Sequence, residues 1–255
     1  MTIKTPLSQT LHYLGGKWET REMGAIAESP VTLSVNGHPW LTFMCTPTDL
    51  EALAVGFLYN EGVIDSQEEI KLVETCPAGD NIDVWLKKTA EPPQEWRRTS
   101  GCTGGATTVQ LEQVLPNQID SFLLAPQAIQ SLVKALLEAQ VIYREVGGVH
   151  TSILTDGEGV LIAAEDVGRH NTLDKIAGRV ILENIQPRWK ILVTTGRVSS
   201  EMVQKAARIG AFAVISRTAA SSLAISLAEE WGITLIGYAR GEQFVIYSHP
   251  ERVKP

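Results

Sequence analysis

Residues 190–248 read KILVTTGRVSSEMVQKAARIGAFAVISRTAASSLAISLAEEWGITLIGYARGEQFVIYS, and their alternation decides the fold. Apolar runs at 190–195, 212–216 and 233–238 predict strands. Between them, Met202, Val203, Ala206 and Ala207 line one face of a helix with Ser199 as N-cap and Gly210 as its stop, and 223–231 forms a second helix closed by Gly232. Near-continuous apolar strands alternating with helices imply a mostly parallel sheet covered by helices. A last strand follows at 243–248.

Upstream, strands at 149–155 and 159–164 lead into a polar loop, Glu165-Asp-Val-Gly-Arg-His170, and a helix from Asn171. Pro126 suits the first position of a helix carrying Leu132, Leu136 and Leu137. The first part reads differently. Residues 31–35 and 40–44 flank Asn36-Gly37, a hairpin turn, and Thr48 with Glu51 matches a capping box before a helix that Gly62 ends. Strands Ile70–Thr75 and Ile82–Lys87 complete a ββαββ-like unit. The expected division is a smaller α+β domain over 1–115 and an α/β domain over 116–255.

Composition bounds the function. The 255 residues carry a net charge of −7, and residues 1–100 hold 8 Lys and Arg against 14 Asp and Glu, with 14 against 15 beyond. No basic face for nucleic acid is evident, and no apolar run approaches the roughly 20 residues of a membrane span. The start MTIKTPLSQTLHY lacks a secretory pattern, so a cytoplasmic protein is expected. Dimers are the commonest assembly, so a homodimer is expected too.

Three arginines, Arg197, Arg217 and Arg240, each follow a strand that should be parallel to the other two, so they should gather at the carboxyl edge of the sheet. Two of these loops run into helix N-termini, which favour an anion, phosphate or pyrophosphate. His150, Asp166, Arg169 and His170 form a polar cluster nearby in sequence. It can contact a ligand, or Asp166 and His170 can brace the following helix. No deaminase zinc pattern is present, and no metal site is expected. Of three cysteines, Cys45 and Cys76 end strands, whereas Cys102 sits in Ser-Gly-Cys-Thr-Gly-Gly after Arg97 and Arg98, a setting that favours an exposed thiolate.

The runs GGVHTSIL, EDVGRHNTLDKIAG, TTGRVSSEMVQKAARIGAFAVISRTAASSLAISLAEE and GITLIGYARGEQFVIYSHPERV, with VNGHPWLTFMCTPTDLEALAVGFLYNEGVI near the start, resemble the FdhD family of formate dehydrogenase accessory sulfurtransferases. The resemblance spans roughly residues 30–252. It implies a cytidine-deaminase-like fold for the second domain. It also implies sulfur accepted from a cysteine desulfurase and passed to the molybdenum or tungsten bis-guanine-dinucleotide cofactor of formate dehydrogenase, with GDP as a partial analogue. The persulfide cysteine then falls on Cys102, and the guanine-dinucleotide contact segment on Tyr238, Ala239, Arg240, Gly241, Glu242 and Gln243. Arg197, Arg217, Arg169 and His170 are the further candidate contacts. Many members carry a second cysteine three positions after the first, where this chain has Gly105. That substitution motivates an alternative: a cofactor-binding chaperone without sulfur chemistry.

Overall fold

In a computed structural model, residues 7–92 and 123–254 are described, with the backbone of 97–98 and 106–107. The chain opens with an antiparallel hairpin, β1 (Leu7–Leu14) and β2 (Lys17–Gly24), which the sequence reading did not anticipate. Its signal was Gly15-Gly16, both at positive φ, between two eight-residue strands.

The α+β unit follows as expected. Strands β3 (Ser29–Val35), β4 (His38–Cys45), β5 (Ile70–Thr75) and β6 (Asn81–Leu86) form a sheet in the order β4-β3-β6-β5, with α1 (Leu50–Asn60) on one face. Val31, Leu33, Val35, Ile82 and Val84 meet Leu53, Phe57 and Leu58 in its core. The Thr48–Glu51 capping box does not form. Asp49 is the N-cap, in the left-handed region and without a side-chain cap bond, because Thr48 Oγ1 is taken by Lys175 Nζ at 3.0 Å. Two-residue strands β7 (Arg97–Arg98) and β8 (Ala106–Thr107) pair with each other. Cys102, Gly105 and the expected boundary at 115/116 lie outside the described residues.

The second part comprises α2 (Pro126–Glu138), α3 (Ile142–Val146), β9 (His150–Thr155), β10 (Val160–Asp166), α4 (Arg169–Leu182), β11 (Ile191–Thr194), α5 (Ser200–Ile209), β12 (Ala213–Ser216), α6 (Ser222–Glu230), β13 (Thr234–Arg240) and β14 (Gln243–Ile246). Its sheet order is β10-β9-β11-β12-β13-β14. Only β11–β12 and β12–β13 pair in parallel; β9, β10 and β14 run antiparallel, so the sheet is mixed and not mostly parallel. The parallel centre requires helical crossovers, whereas short turns at 156–159 and 241–242 return the flanking strands. The expected polar loop 165–170 shrinks to Val167-Gly168, since β10 continues through Asp166 and α4 starts at Arg169.

The two sheets are joined through α1 and α4. Gly56 and Gly178 let these helices touch backbone to backbone: a Cβ on Gly56 would lie 1.7 Å from the carbonyl oxygen of Asp174, and one on Gly178 would lie 1.8 Å from that of Ala52. Buried charges cross the same junction. Lys175, fully buried, donates to Thr46 O and Glu165 O and pairs with Asp166 at 2.7 Å. Asp174 accepts from Asn60 of α1 and Lys205 of α5.

Candidate functional site

The three central strands end on one edge, and their following loops are bonded to one another. The Arg217 amide donates to Thr194 O, Val198 N to Ala219 O, Ser221 N to Val198 O, and Tyr238 N to Thr218 O, all within 3.1 Å. Ser216 Oγ adds a bond to Gly196 O at 2.7 Å. A lattice of main-chain bonds across three loops fixes the edge as one surface.

On this surface the arginines fall into two pairs. Arg240 Nε donates to Arg217 O at 2.7 Å, so these two loops are in direct contact. The Nε of Arg217 is buried without a partner among the described residues, a donor whose desolvation an anion would offset. Arg197 is exposed on the β11–α5 loop, while Arg169 is buried at the start of α4. Gly196, next to Arg197, lets that loop lie against Arg169, since a Cβ on Gly196 would meet Arg169 Cβ at 3.0 Å. Both guanidinium groups bear on His150: burial first, then Arg169 and Arg197, push its pKa below the usual imidazole range.

The segment 238–243 proves to be a hairpin tip. The strand predicted to end at 238 continues to Arg240, which pairs with Gln243 across a two-residue turn, Gly241-Glu242. Tyr238 sits at φ +50, a region unusual for a bulky residue, held by its amide bond to Thr218 O. Gly237 before it has no room for a side chain, because Thr218 O and Tyr247 Cε2 lie 2.9 and 2.6 Å from its ideal Cβ. Tyr238, Arg240, Gly241, Glu242 and Gln243 are exposed, and Ala239 is buried. The edge therefore presents an aromatic ring, guanidinium groups and an exposed two-residue turn together.

Asp166 and His170 stand in different roles. The Asp166 carboxylate accepts from Thr46 N, Gly168 N, Asn171 Nδ2 and Lys175 Nζ, so its oxygens are spent on bracing the start of α4. His170 lies beneath the edge, with Nε2 3.3 Å from Ser199 Oγ. Burial, with the charges of Lys205, Arg169 and His150, pushes its pKa down to about 3. The ring is neutral at physiological pH, and its 4.0 Å approach to Glu201 is not an ion pair there. The Ser199 hydroxyl engaged by His170 makes no cap bond to α5.

Of the two described cysteines, Cys45 is buried and its pKa is pushed up to about 12, chiefly by burial and then by Asp166. It is a protonated core thiol. Cys76 is half-buried and donates to Asp80 Oδ1 at 2.9 Å. The residues missed in the sequence were Lys175, Lys205 and Asp174. Their signal was faint: charges on otherwise amphipathic helices, whose burial follows from α1, α4 and α5 converging.

The fold and this edge define a mixed α/β protein with a bonded, arginine-bearing surface at the carboxyl ends of its central strands. Residues 26–254 match the family model described as the FdhD/NarQ family. A sulfur carrier protein FdhD of Bacillus subtilis (strain 168) is 35% identical over 98% of both chains. Another of that name, from Staphylococcus aureus (strain MRSA252), is 36% identical over 95% of this chain and 94% of its own. In three dimensions the chain is similar to a solved structure described as "Crystal structure of a putative formate dehydrogenase accessory protein from Desulfotalea psychrophila", with a TM-score of 0.81 at 29% identity, over 98% of this chain and 99% of that one. The chain belongs to the FdhD/NarQ family. Among the described residues, no helix is long and apolar enough to cross a membrane.

Proposed function

We propose that this chain carries sulfur for the maturation of formate dehydrogenase. The Cys102 thiolate attacks the outer sulfur of a cysteine desulfurase persulfide; the donor's S–S bond breaks, the donor thiolate leaves, and Cys102 holds the persulfide. The acceptor is the molybdenum or tungsten bis-guanine-dinucleotide cofactor, a substrate and not a resident group. When the outer sulfur passes to its metal centre, the S–S electron pair returns to Cys102 as thiolate and the metal supplies the two electrons that make a sulfide.

The observation that carries this reading is the Arg217–Arg240 contact beside the exposed 238–243 tip, in a chain whose relatives are named sulfur carriers. Arg240 and Arg217 would hold pyrophosphate, the orphaned Arg217 Nε finding its acceptor there. Tyr238 offers a ring face to a base. Arg197 and Arg169 would hold the second anionic portion, with neutral His170 keeping the Ser199 loop in place. A cytidine-deaminase-like fold for this domain, and work in the cytoplasm, belong to the same reading.

Cys102→Ala should abolish formate dehydrogenase maturation in a strain lacking the native carrier while GDP still binds. Maturation by that variant would sink the sulfur-transfer reading. Gly105, in place of a second cysteine, favours one alternative, a cofactor chaperone without sulfur chemistry. It gives the opposite result in the same experiment.

A further inference from the structure

His150 has no part in the sulfur chemistry above, yet strand register brings it to the arginine-bearing edge. β9 runs antiparallel to β11 with Ser152 opposite Thr194, so the start of β9 lies where β11 ends. Thr195 N donates to Thr151 O and Thr151 N to Thr195 Oγ1, both at 3.0 Å, which carries the pairing on toward Gly196 and Arg197. On the other side β10 sets Asp166 opposite His150. The imidazole is half-buried there.

The charges that face this ring come from three elements. Arg197 of the β11–α5 loop and Arg169 of α4 are cations bearing on it, and Asp166 of β10 is the opposing carboxylate. The oxygens of Asp166 are already shared among Thr46 N, Gly168 N, Asn171 Nδ2 and Lys175 Nζ. His170, also on α4, is neutral. Nδ1 of His150 lies 3.5 Å from the Thr195 hydroxyl, and Nε2 has no hydrogen-bond partner among the described residues. In the free protein, burial and two guanidinium groups favour the neutral imidazole. An anion between those guanidinium groups reverses the balance, since it offsets their repulsion and stabilises a third charged donor.

We infer that His150 is a further anion ligand of this edge, taking up a proton from solvent as a phosphate group settles between Arg169 and Arg197 and donating Nε2–H to it. The inference rests on the guanine-dinucleotide reading of the edge and deepens it: the site binds anion and proton together, so its affinity falls as pH rises through neutrality. The full chain, isotope-labelled at its five histidines, is titrated by NMR from about pH 5 to about pH 8, without and with saturating GDP. The His150 resonance is identified by its loss in His150→Gln.

GDP should raise the His150 midpoint by about one pH unit or more, the scale set by an opposite charge at hydrogen-bonding range. Between pH 6 and pH 8 the wild type should then lose GDP affinity about threefold or more relative to His150→Gln, whose own pH dependence is that of the ligand. Arg197→Gln, an exposed change, should raise the midpoint of the free protein and shrink the rise that GDP causes, which identifies the resonance even if His150→Gln does not fold. GDP bound with the midpoint unmoved or lowered overturns the inference and leaves the nucleotide site in place. So does a rise that Arg197→Gln leaves intact. No GDP binding by calorimetry at any pH sinks the reading of the edge, and this inference with it.

Discussion

The guanidinium of Arg240 is fastened to the main chain of Arg217, Nε to carbonyl oxygen at 2.7 Å, although 23 residues separate them. That bond leaves the terminal nitrogens of Arg240 at an exposed edge next to a buried Arg217 donor without a partner among the described residues. Two cationic side chains held at fixed spacing suit a diphosphate better than either alone.

Arg240→Ala should therefore weaken GDP binding by about 10- to 100-fold, the range for losing a charged hydrogen-bonding group. Thermal stability should hardly change, because the side chain is exposed. Isothermal titration and a melting curve on the same preparation check both halves. Undiminished affinity would remove the arginine pair from the ligand site.

His170 makes stability depend on pH in a stated direction. Its folded pKa is about 3 and its unfolded value about 6.5, so between those limits the unfolded chain binds a proton that the folded chain refuses. Stability is full above pH 6.5 and falls as pH drops toward 3, by up to about 1.4 kcal/mol per unit. Urea unfolding at pH 7 and pH 5 should show a loss in wild type that His170→Gln reduces.

Gly178→Ala should be among the most damaging single changes in the chain. Its methyl would fall 1.8 Å from Ala52 O, and helix backbone cannot yield as a side-chain tip can. A loss above about 3 kcal/mol, or failure to fold, is expected from denaturant unfolding. A near-neutral result would mean α1 and α4 do not cross as described.

Lys175→Met leaves Asp166 charged and unpaired at full burial, with a predicted cost of about 3–5 kcal/mol. The double change Lys175→Met/Asp166→Leu should recover part of that loss. Chemical denaturation of the wild type and both variants measures it.

Much of this architecture was legible because periodicity reports on local burial. The strands around 191, 213 and 234, the Gly210 stop and the Asn36-Gly37 hairpin all stand where the pattern put them. The departures occur where tertiary partners outbid local rules. Thr48 abandons its capping box for Lys175, a residue 127 positions away. EDVGRHN reads as a polar loop, yet its polar side chains are buried and bonded, so strand and helix extend into it. Counting strands between helices also overstated the parallel sheet, because β9 and β10 form a hairpin and β14 returns antiparallel on β13. At the site, the strand-end arginines were readable from spacing, but their division into two pairs depends on loop bonds that no spacing reveals.

The central claim is that Cys102, and neither other thiol, carries sulfur. Cys45 is buried as a protonated thiol and Cys76 is engaged with Asp80. Peptide mass spectrometry after incubation with a cysteine desulfurase and cysteine measures this directly. The account predicts one added sulfur on the Cys102 peptide and none on those of Cys45 and Cys76. Unmodified Cys102, with the desulfurase shown active on another acceptor, would contradict it and leave the cofactor chaperone.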